Sequence, residues 1–443
     1  MSGFGERFRR AGYNLPKPLI KVDKITMIEH VVKMFSDDDE FIFICNKEHL
    51  EVNHWRMREI LLNAASNGTI IEIDPHKKGP AHAVLKAKNF INPDEKVIVN
   101  YCDFSCYWDY EHFKKTISTN NCSGSIPAYK GFHPHSLGNT NYAYIKEENN
   151  ILLDIKEKEP FTNERMNEYA SSGTYYFSSG SLLIDSLETL VKRKDLRLNG
   201  EYYISLSYKI LLEQKKNVFI YPIQHFMQWG TPQDLQEYQL WSNTFNSIIK
   251  NDIKKDLNNK NYGTLILPMA GLGKRFSLSG YKRTKPLIEV SGKQMLIQAV
   301  NDLPKFKNHV FVLRRDMPEL EETLQLIKIN YPDALLKIIP GLNKGQAISV
   351  LDGITSIEQS NIDFKNYNPL TVSACDNGVL FNEKDFQELL INDDSDIIVW
   401  GYEGYPNSAR NPEMYGWIDP DVDGIIKSVS VKKSINSDYS KPI

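Results

Sequence analysis

The 443-residue chain is poor in the features that would mark a secreted, membrane or nucleic-acid-binding protein. It has five cysteines, Cys45, Cys102, Cys106, Cys122 and Cys375, an odd and scattered set that predicts neither a disulfide framework nor a zinc site and points to a reducing cytoplasm. No apolar run approaches the ~20 residues that cross a bilayer, and Arg7, Arg9 and Arg10 near the start have no apolar stretch behind them. Excess charge is lacking too: a formal net charge of -3 gives no whole-chain reason for nucleic acid or an anionic membrane as partner. His82, His133 and His135 stand at no spacing that would hold a metal, and read as loop or rim residues. What is present is 41% hydrophobic and 11% aromatic content, enough to bury a large core in two or three domains.

Self-similarity is the strongest signal. Met1-Ser-Gly-Phe-Gly-Glu-Arg-Phe near the start returns as Met269-Ala-Gly-Leu-Gly-Lys-Arg-Phe, and Pro16-Lys-Pro-Leu-Ile20 as Thr284-Lys-Pro-Leu-Ile288, at a constant offset of 268 residues. Later blocks correspond with small shifts: Lys78-Gly79-Pro80-Ala81 with Lys344-Gly345-Gln346-Ala347, Tyr101-Cys102-Asp103-Phe104 with Ala374-Cys375-Asp376-Asn377, and Glu157-Lys158 with Val431-Lys432. The expected organisation is a first domain over 1–243, a polar linker over 244–262 and a second domain over 263–443. The first domain is expected to want its opening strand, since Met1 answers Met269 and Thr264–Pro268 has no counterpart, which suggests a missing upstream segment or a misplaced start. The second stops soon after Lys432. Short apolar runs (Thr264–Pro268, Val97–Asn100, Asp396–Trp400) alternate with amphipathic stretches (Met27–Phe35, Lys384–Leu390). That alternation predicts α/β units around a mostly parallel or mixed central sheet flanked by helices, with ligands at the carboxyl ends of the strands.

The candidate chemistry lies just after those runs. Gly3-x-Gly5 and Gly271-x-Gly273 have the composition of a loop whose backbone N–H groups approach a phosphate; the bland alternative is a tight turn. Arg7 and Lys17, or Arg275 and Lys285, follow at fixed spacing and suit phosphate oxygens. Neither loop fits the Walker pattern, and Phe8 and Phe276 occupy the third-glycine position of the dinucleotide fingerprint. Asp103 and Asp376 end strand-like runs, where a carboxylate can hold Mg²⁺ or cap a helix. Lys158 and Lys432, surface charges if taken alone, gain weight from their repeated position.

With these motifs together, the sequence resembles the sugar-phosphate nucleotidyltransferases, or NDP-sugar pyrophosphorylases. The resemblance rests on G-x-G-x-R-F, P-K-P-L or T-K-P-L, K-G-x-A, the strand-ending Asp, Glu157-Lys158, Gly173-Thr-Tyr-Tyr-Phe177 and Trp229-Gly-Thr-Pro-Gln-Asp234. It implies two tandem Rossmann-like domains, a nucleoside triphosphate and a sugar 1-phosphate as substrates, and Mg²⁺. Gly3 and Gly5, or Gly271 and Gly273, with Arg7 or Arg275 would cradle the triphosphate, and Gly79 or Gly345 would lie against the base. Lys17 or Lys285 would meet the α-phosphate, Asp103 or Asp376 the metal, and Lys158 or Lys432 the sugar phosphate. Many relatives carry a second metal-binding Asp where Gln228 stands here, Val431 replaces Glu157, and Thr284 replaces Pro16; which half is catalytic stays open. The expected role is NDP-sugar synthesis for a surface polysaccharide, in the cytoplasm, without membrane insertion, with homo-oligomerisation left open. Two alternatives stand beside it: a non-catalytic nucleotide-sugar sensor or scaffold, and a glycosyltransferase, although neither Cys102-Asp-Phe-Ser105 nor Cys375-Asp-Asn-Gly378 supplies a D-x-D motif.

Overall fold

The computed structural model describes residues 1–131, 141–249, 262–278, 280–360, 369–392, 395–405, 408 and 411–435. His133, His135 and most of the expected linker fall outside these. Contacts divide the chain into two compact units, 1–244 with 399–443, and 245–398.

In the first unit a small hairpin, β1 (Lys21–Val22) and β2 (Ile25–Thr26), turns at Asp23 with φ +54° and feeds the helix Met27–Val32. The helix starts there because Thr26 and Glu29 form a capping box. Thr26 Oγ1 accepts from the Glu29 N–H at 3.4 Å while the Thr26 N–H donates back to Glu29 Oε2 at 2.7 Å. Strands β3 (Ile42–Asn46) and β4 (Thr69–Ile73) then pair in parallel.

The remaining strands are β5 (Val97–Asn100), β6 (Phe104–Tyr107), β7 (Gly124–Tyr129), β8 (Ala143–Glu148), β9 (Ile151–Glu157), β10 (Tyr169–Ser171), β11 (Thr174–Phe177), β12 (Val218–Pro222) and β13 (His225–Gln228). Seven of them form one sheet in the order β10-β8-β9-β12-β7-β11-β5. Only its β7–β12 pair is parallel, so this sheet is mixed and not mostly parallel. Antiparallel pairs dominate because β8 and β9 are joined by the two-residue turn Asn149-Asn150, at φ +52° and +61°, and β10 and β11 fold back beside them. At the centre, β7 is buried at all six positions. Strand β13 pairs antiparallel with β6, with Gln228 opposite Phe104, and the Trp229 N–H donates to the Asp103 carbonyl at 2.9 Å.

The second unit is built on a parallel sheet. Strand β14 (Thr264–Pro268) enters it, a hairpin of β15 (Glu289–Val290) and β16 (Lys293–Gln294) follows, and β17 (Asn308–Arg314), β18 (Leu335–Ile339) and β19 (Leu370–Val372) complete the order β18-β17-β14-β19. The run Thr-Leu-Ile-Leu-Pro makes a central strand because it is apolar on both faces, and all five residues are buried. The segment 396–400, expected as a strand, forms none, and Ile397 is 78% exposed. Its counterpart by sequence is β7, which β10, β11 and β12 hold in place; among the described residues nothing pairs with 396–400. Strands β20 (Gly416–Pro420) and β21 (Ile426–Val431) form a hairpin in the part of the chain that groups with the first unit, where the repeat had suggested the second domain. The side chains of Tyr402 and Tyr405 contribute to that grouping, with the Tyr402 hydroxyl 3.0 Å from Thr244 Oγ1 and the Tyr405 ring 6.4 Å from that of Trp241.

Local geometry recurs between the halves. Gly5 and Gly273 both have φ +62°, Lys158 and Lys432 have φ +61° and +60°, and the edge-to-face pairs Phe8–Tyr13 and Phe276–Tyr281 have centroids 5.1 and 5.3 Å apart. One cap does not recur: the helix Met295–Asn301 starts at Gln294 without a side-chain hydrogen bond. Thr26→Ala should therefore destabilise the protein by about 1 kcal/mol in urea unfolding, whereas Gln294→Ala should leave stability unchanged within error.

Candidate active site

The first glycine loop runs into the short helix Glu6–Arg10, whose Phe8 is buried and anchors it against Tyr13. Gly5 is needed there because its φ of +62° is left-handed. Ten residues on, the turn Lys17–Leu19 is fixed by Pro18 and aims Lys17 across the site. Its Nζ lies 2.5 Å from Asp103 Oδ2 and 2.8 Å from the Gly230 carbonyl. Three segments distant in sequence therefore meet at one ammonium group.

These groups line a cleft of about 570 Å³. Of the residues singled out from sequence, it gathers Gly3, Gly5, Arg7, Lys17, Asp103 and Lys158. Gly79 is not on its wall, although His76 and Lys77 are. Gly79 instead has φ +90° and is clamped from behind: a Cβ there would sit 2.6 Å from both the N and O of Tyr202. The second unit holds a smaller cleft of about 360 Å³ that gathers Gly271, Gly273, Lys285, Gly345 and Asp376, with Lys285 Nζ 2.5 Å from Asp376 Oδ2. Arg275 is not on its wall, and Lys432 lies in the stretch that groups with the first unit.

One end of the first cleft is a network that the sequence did not single out. Lys158 Nζ donates to the Tyr203 hydroxyl at 2.5 Å and lies over its ring at 4.2 Å, and that hydroxyl donates in turn to Glu201. Burial pushes the Tyr203 phenol well up, and the neighbouring carboxylates Glu201 and Glu157 reinforce the shift. Ser205 Oγ donates to Glu157 Oε2 at 2.6 Å. Desolvation raises the Glu157 carboxyl to about 7, partly offset by the Ser205 hydrogen bond and the charge of Lys158. Asn199, Glu201 and Tyr203 escaped notice because they have no partner in the repeat; Glu157 could have been flagged by its place beside Lys158. The lysine itself holds φ +61°, and its N–H donates to the Tyr142 carbonyl at 2.7 Å.

Opposite lie the oxygens suited to a hard cation. Gln228 lines the cleft and is 6% exposed, and its buried Oε1 has no hydrogen-bond partner among the described residues. Asp103 on the same wall supplies a carboxylate, and one carboxylate with amide and phosphate oxygens is an acceptable set for Mg²⁺. No cluster of three or more His, Cys, Asp or Glu side chains that could hold a metal occurs among the described residues.

A glycine loop, a lysine paired to an aspartate in the connection between β5 and β6, and a second lysine thus line one cleft. The profile of the nucleotidyl transferase family matches residues 1–239. The chain belongs to that family. The bifunctional protein GlmU of Methanocaldococcus jannaschii is 24% identical over 260 residues, 58% of this chain, and the match spans 56% of that protein's length. Among solved structures, a nucleoside-diphosphate-sugar pyrophosphorylase of Vibrio cholerae aligns with a TM-score of 0.44 at 20% identity, over 54% of this chain and 97% of the other. A UDP-glucose pyrophosphorylase of Acinetobacter baumannii aligns with a TM-score of 0.43 at 16% identity, over 56% and 96%. The family match falls on the first unit's cleft. No helix among the described residues is long and apolar enough to cross a membrane.

Glu157 gives this nucleotidyltransferase cleft a measurable pH signature. Its folded value of about 7 lies above the ordinary 4.5, so the native state binds the proton more tightly than the unfolded state. Native stability is undiminished by this group below pH 4.5 and falls as pH rises toward 7. Glu157→Gln removes that loss. The melting temperature of the variant relative to the parent should climb between pH 5 and pH 8, corresponding to about 2 kcal/mol; a difference flat across that range would contradict the assignment.

Proposed function

We propose that the first unit transfers a nucleotidyl group from a nucleoside triphosphate to a sugar 1-phosphate, giving an NDP-sugar and pyrophosphate. The observation that carries the reading is the single cleft that holds the glycine loop, the Lys17–Asp103 pair and Lys158 together. Arg7 and the loop N–H groups of Gly3 and Gly5 would receive the β- and γ-phosphates. Lys17 would shift from Asp103 toward the α-phosphate, where negative charge builds as the acceptor oxygen attacks in line. Lys158 would hold the acceptor phosphate on the opposite side, and Glu157 and Glu201 would take hydroxyl groups of its sugar. The bond formed is acceptor oxygen to α-phosphorus; the bond broken is α-phosphorus to the bridging oxygen of pyrophosphate. Asp103 and the Gln228 amide oxygen would hold Mg²⁺, which when bound offsets phosphate charge. Alignment and charge neutralisation then supply the acceleration, without a covalent enzyme intermediate.

The second unit we read as a duplicate that binds nucleotide without turnover. Its cleft repeats the glycine loop and the Lys–Asp contact and has Gly345 on its wall, but Lys432, the counterpart of Lys158, groups with the first unit. The recurrence of φ values, ring pairs and the Lys–Asp distance at corresponding positions supports tandem duplication. A role in surface polysaccharide synthesis in the cytoplasm fits an NDP-sugar product.

Pyrophosphate release against a matrix of nucleoside triphosphates and sugar 1-phosphates with Mg²⁺ tests the proposal. Release should require both substrates, Lys17→Ala should lower kcat/KM by about 10²- to 10³-fold, and Lys285→Ala should change it less than about two-fold. Nucleotide binding without release for any pair would remove the catalytic reading and leave a nucleotide sensor.

A further inference from the structure

The walls of the two clefts differ in charge. Among the described residues lining the first, five carboxyl-bearing side chains stand beside four lysines and arginines, so a polyphosphate entering it gains from a cation that offsets those carboxylates. The second presents Lys282, Arg283, Lys285 and Arg314 with Asp376 as the one carboxylate among its described lining residues. The acids that pair with Arg283 and Arg314 stand outside that wall. An anion entering there meets cationic groups first.

Arg314 is the deepest of them. It ends β17, and the constant offset pairs it with Asn46 at the end of β3. Asn46 is wholly buried, its Oδ1 accepts from the Glu48 N–H at 3.0 Å to start the helix Lys47–Glu51, and it is not on the first cleft's wall. Arg314 lines the second cleft at 3% exposure. Its Nη1 donates to both Asp316 carboxylate oxygens at 2.8 Å, while its buried Nε has no hydrogen-bond partner among the described residues. A buried guanidinium N–H left unpaired is costly unless a ligand oxygen meets it.

Gly345 marks a second difference. It precedes the helix Gln346–Glu358, whose N-terminus has no side-chain cap, and Gly345, Gln346 and Ser349 all line the cleft. A Cβ at Gly345 would meet nothing within 4 Å, whereas Gly79 is clamped on Tyr202 and lies off the first cleft's wall. Thirteen residues of helix therefore direct their unsatisfied N–H groups toward open space in the cleft that also holds Arg314.

We propose that the second cleft binds a diphosphate group that carries no metal ion, held by Arg314, Lys285 and the helix N-terminus at Gly345. Arg314 gives its Nε to a phosphate oxygen while Asp316 keeps Nη1, and Lys285 turns to the same group from Asp376. Two ligands carry that chemistry: inorganic pyrophosphate, and the diphosphate of a nucleotide or NDP-sugar. Both are products of the reaction proposed for the first cleft, so the second cleft senses product. The nucleotide arm rests on the reading of the second unit as a nucleotide binder; the diphosphate site rests on the cleft itself.

Calorimetric titration of the full chain in EDTA, with inorganic pyrophosphate and separately with ADP, CDP, GDP and UDP, tests the proposal. At least one of these should bind. Arg314→Gln should weaken that binding at least about ten-fold, Lys282→Ala, at an exposed position, by about two- to five-fold, and Lys17→Ala should leave it unchanged. Replacing EDTA with Mg²⁺ should weaken it, since the ion neutralises the diphosphate. Binding of pyrophosphate alone would uphold the diphosphate site and remove the nucleotide reading of the second unit. No binding in EDTA, or binding that survives both Arg314→Gln and Lys282→Ala, would overturn the proposal. Should nucleotide then bind with Mg²⁺ and be lost in Lys285→Ala, the nucleotide reading would stand without it.

Discussion

The ion pair between Lys17 and Asp103 organises the first half of the molecule. Only 19% and 27% of the two side chains are exposed, and the same ammonium also holds the Gly230 carbonyl, so the glycine-loop region, the end of β5 and the turn after β13 are fixed to one another. Two charges so placed are worth keeping only with further hydrogen bonds or an incoming anion to share. Phosphate supplies that anion in the proposed reaction: Lys17 exchanges a protein carboxylate for substrate oxygen, and Asp103 is released to face a cation. The apo contact is thus a self-neutralised form of the site, and the second half repeats it at the same 2.5 Å between Lys285 and Asp376.

Around that pair the two halves diverge in what completes them. The first cleft continues into Lys158, Tyr203, Glu201 and Glu157, a region of partly desolvated carboxylates and phenols suited to a polyhydroxylated phosphate. The second ends on Arg314, which is 3% exposed and paired to Asp316, and on the loop at Gly345. Binding phosphate requires the first set of groups in each half; choosing and holding an acceptor requires the additional ones.

Much of this was legible in the sequence, and the reasons for the limits are physical. A constant offset is carried by residues whose positions are fixed by backbone geometry, such as Gly5 and Gly273 at φ +62°, and by short-range packing such as Phe8 on Tyr13, so it survives divergence. A continuous apolar run marked β14 because a wholly buried strand reads that way, and a similar run marked β5, whose four residues are half-buried. The same rule failed at 396–400, where an apolar run forms no strand: an isolated run has no ladder partner, and composition cannot show whether neighbours are present. The predominance of antiparallel pairs in the large sheet was also hidden, since it depends on which distant segments return beside β7. Glu201 and Tyr203 were missed for the opposite reason: they sit in an irregular loop where neither periodicity nor repetition marks them.

Lys158 shows how the site constrains the sequence. Its left-handed backbone, at φ +61°, is one a glycine would adopt without the steric cost of a side chain, roughly 1 kcal/mol, yet the position carries a long, flexible cation. The conformation is set by the sharp departure from β9 and the hydrogen bond to Tyr142, and the amine is set on Tyr203; one residue serves both demands. Selection for stability alone would drift this position toward glycine, while the proposed contact with the acceptor phosphate would hold the lysine. The same backbone recurs at Lys432, at φ +60°, where a lysine again stands in a conformation that a glycine would adopt without steric cost.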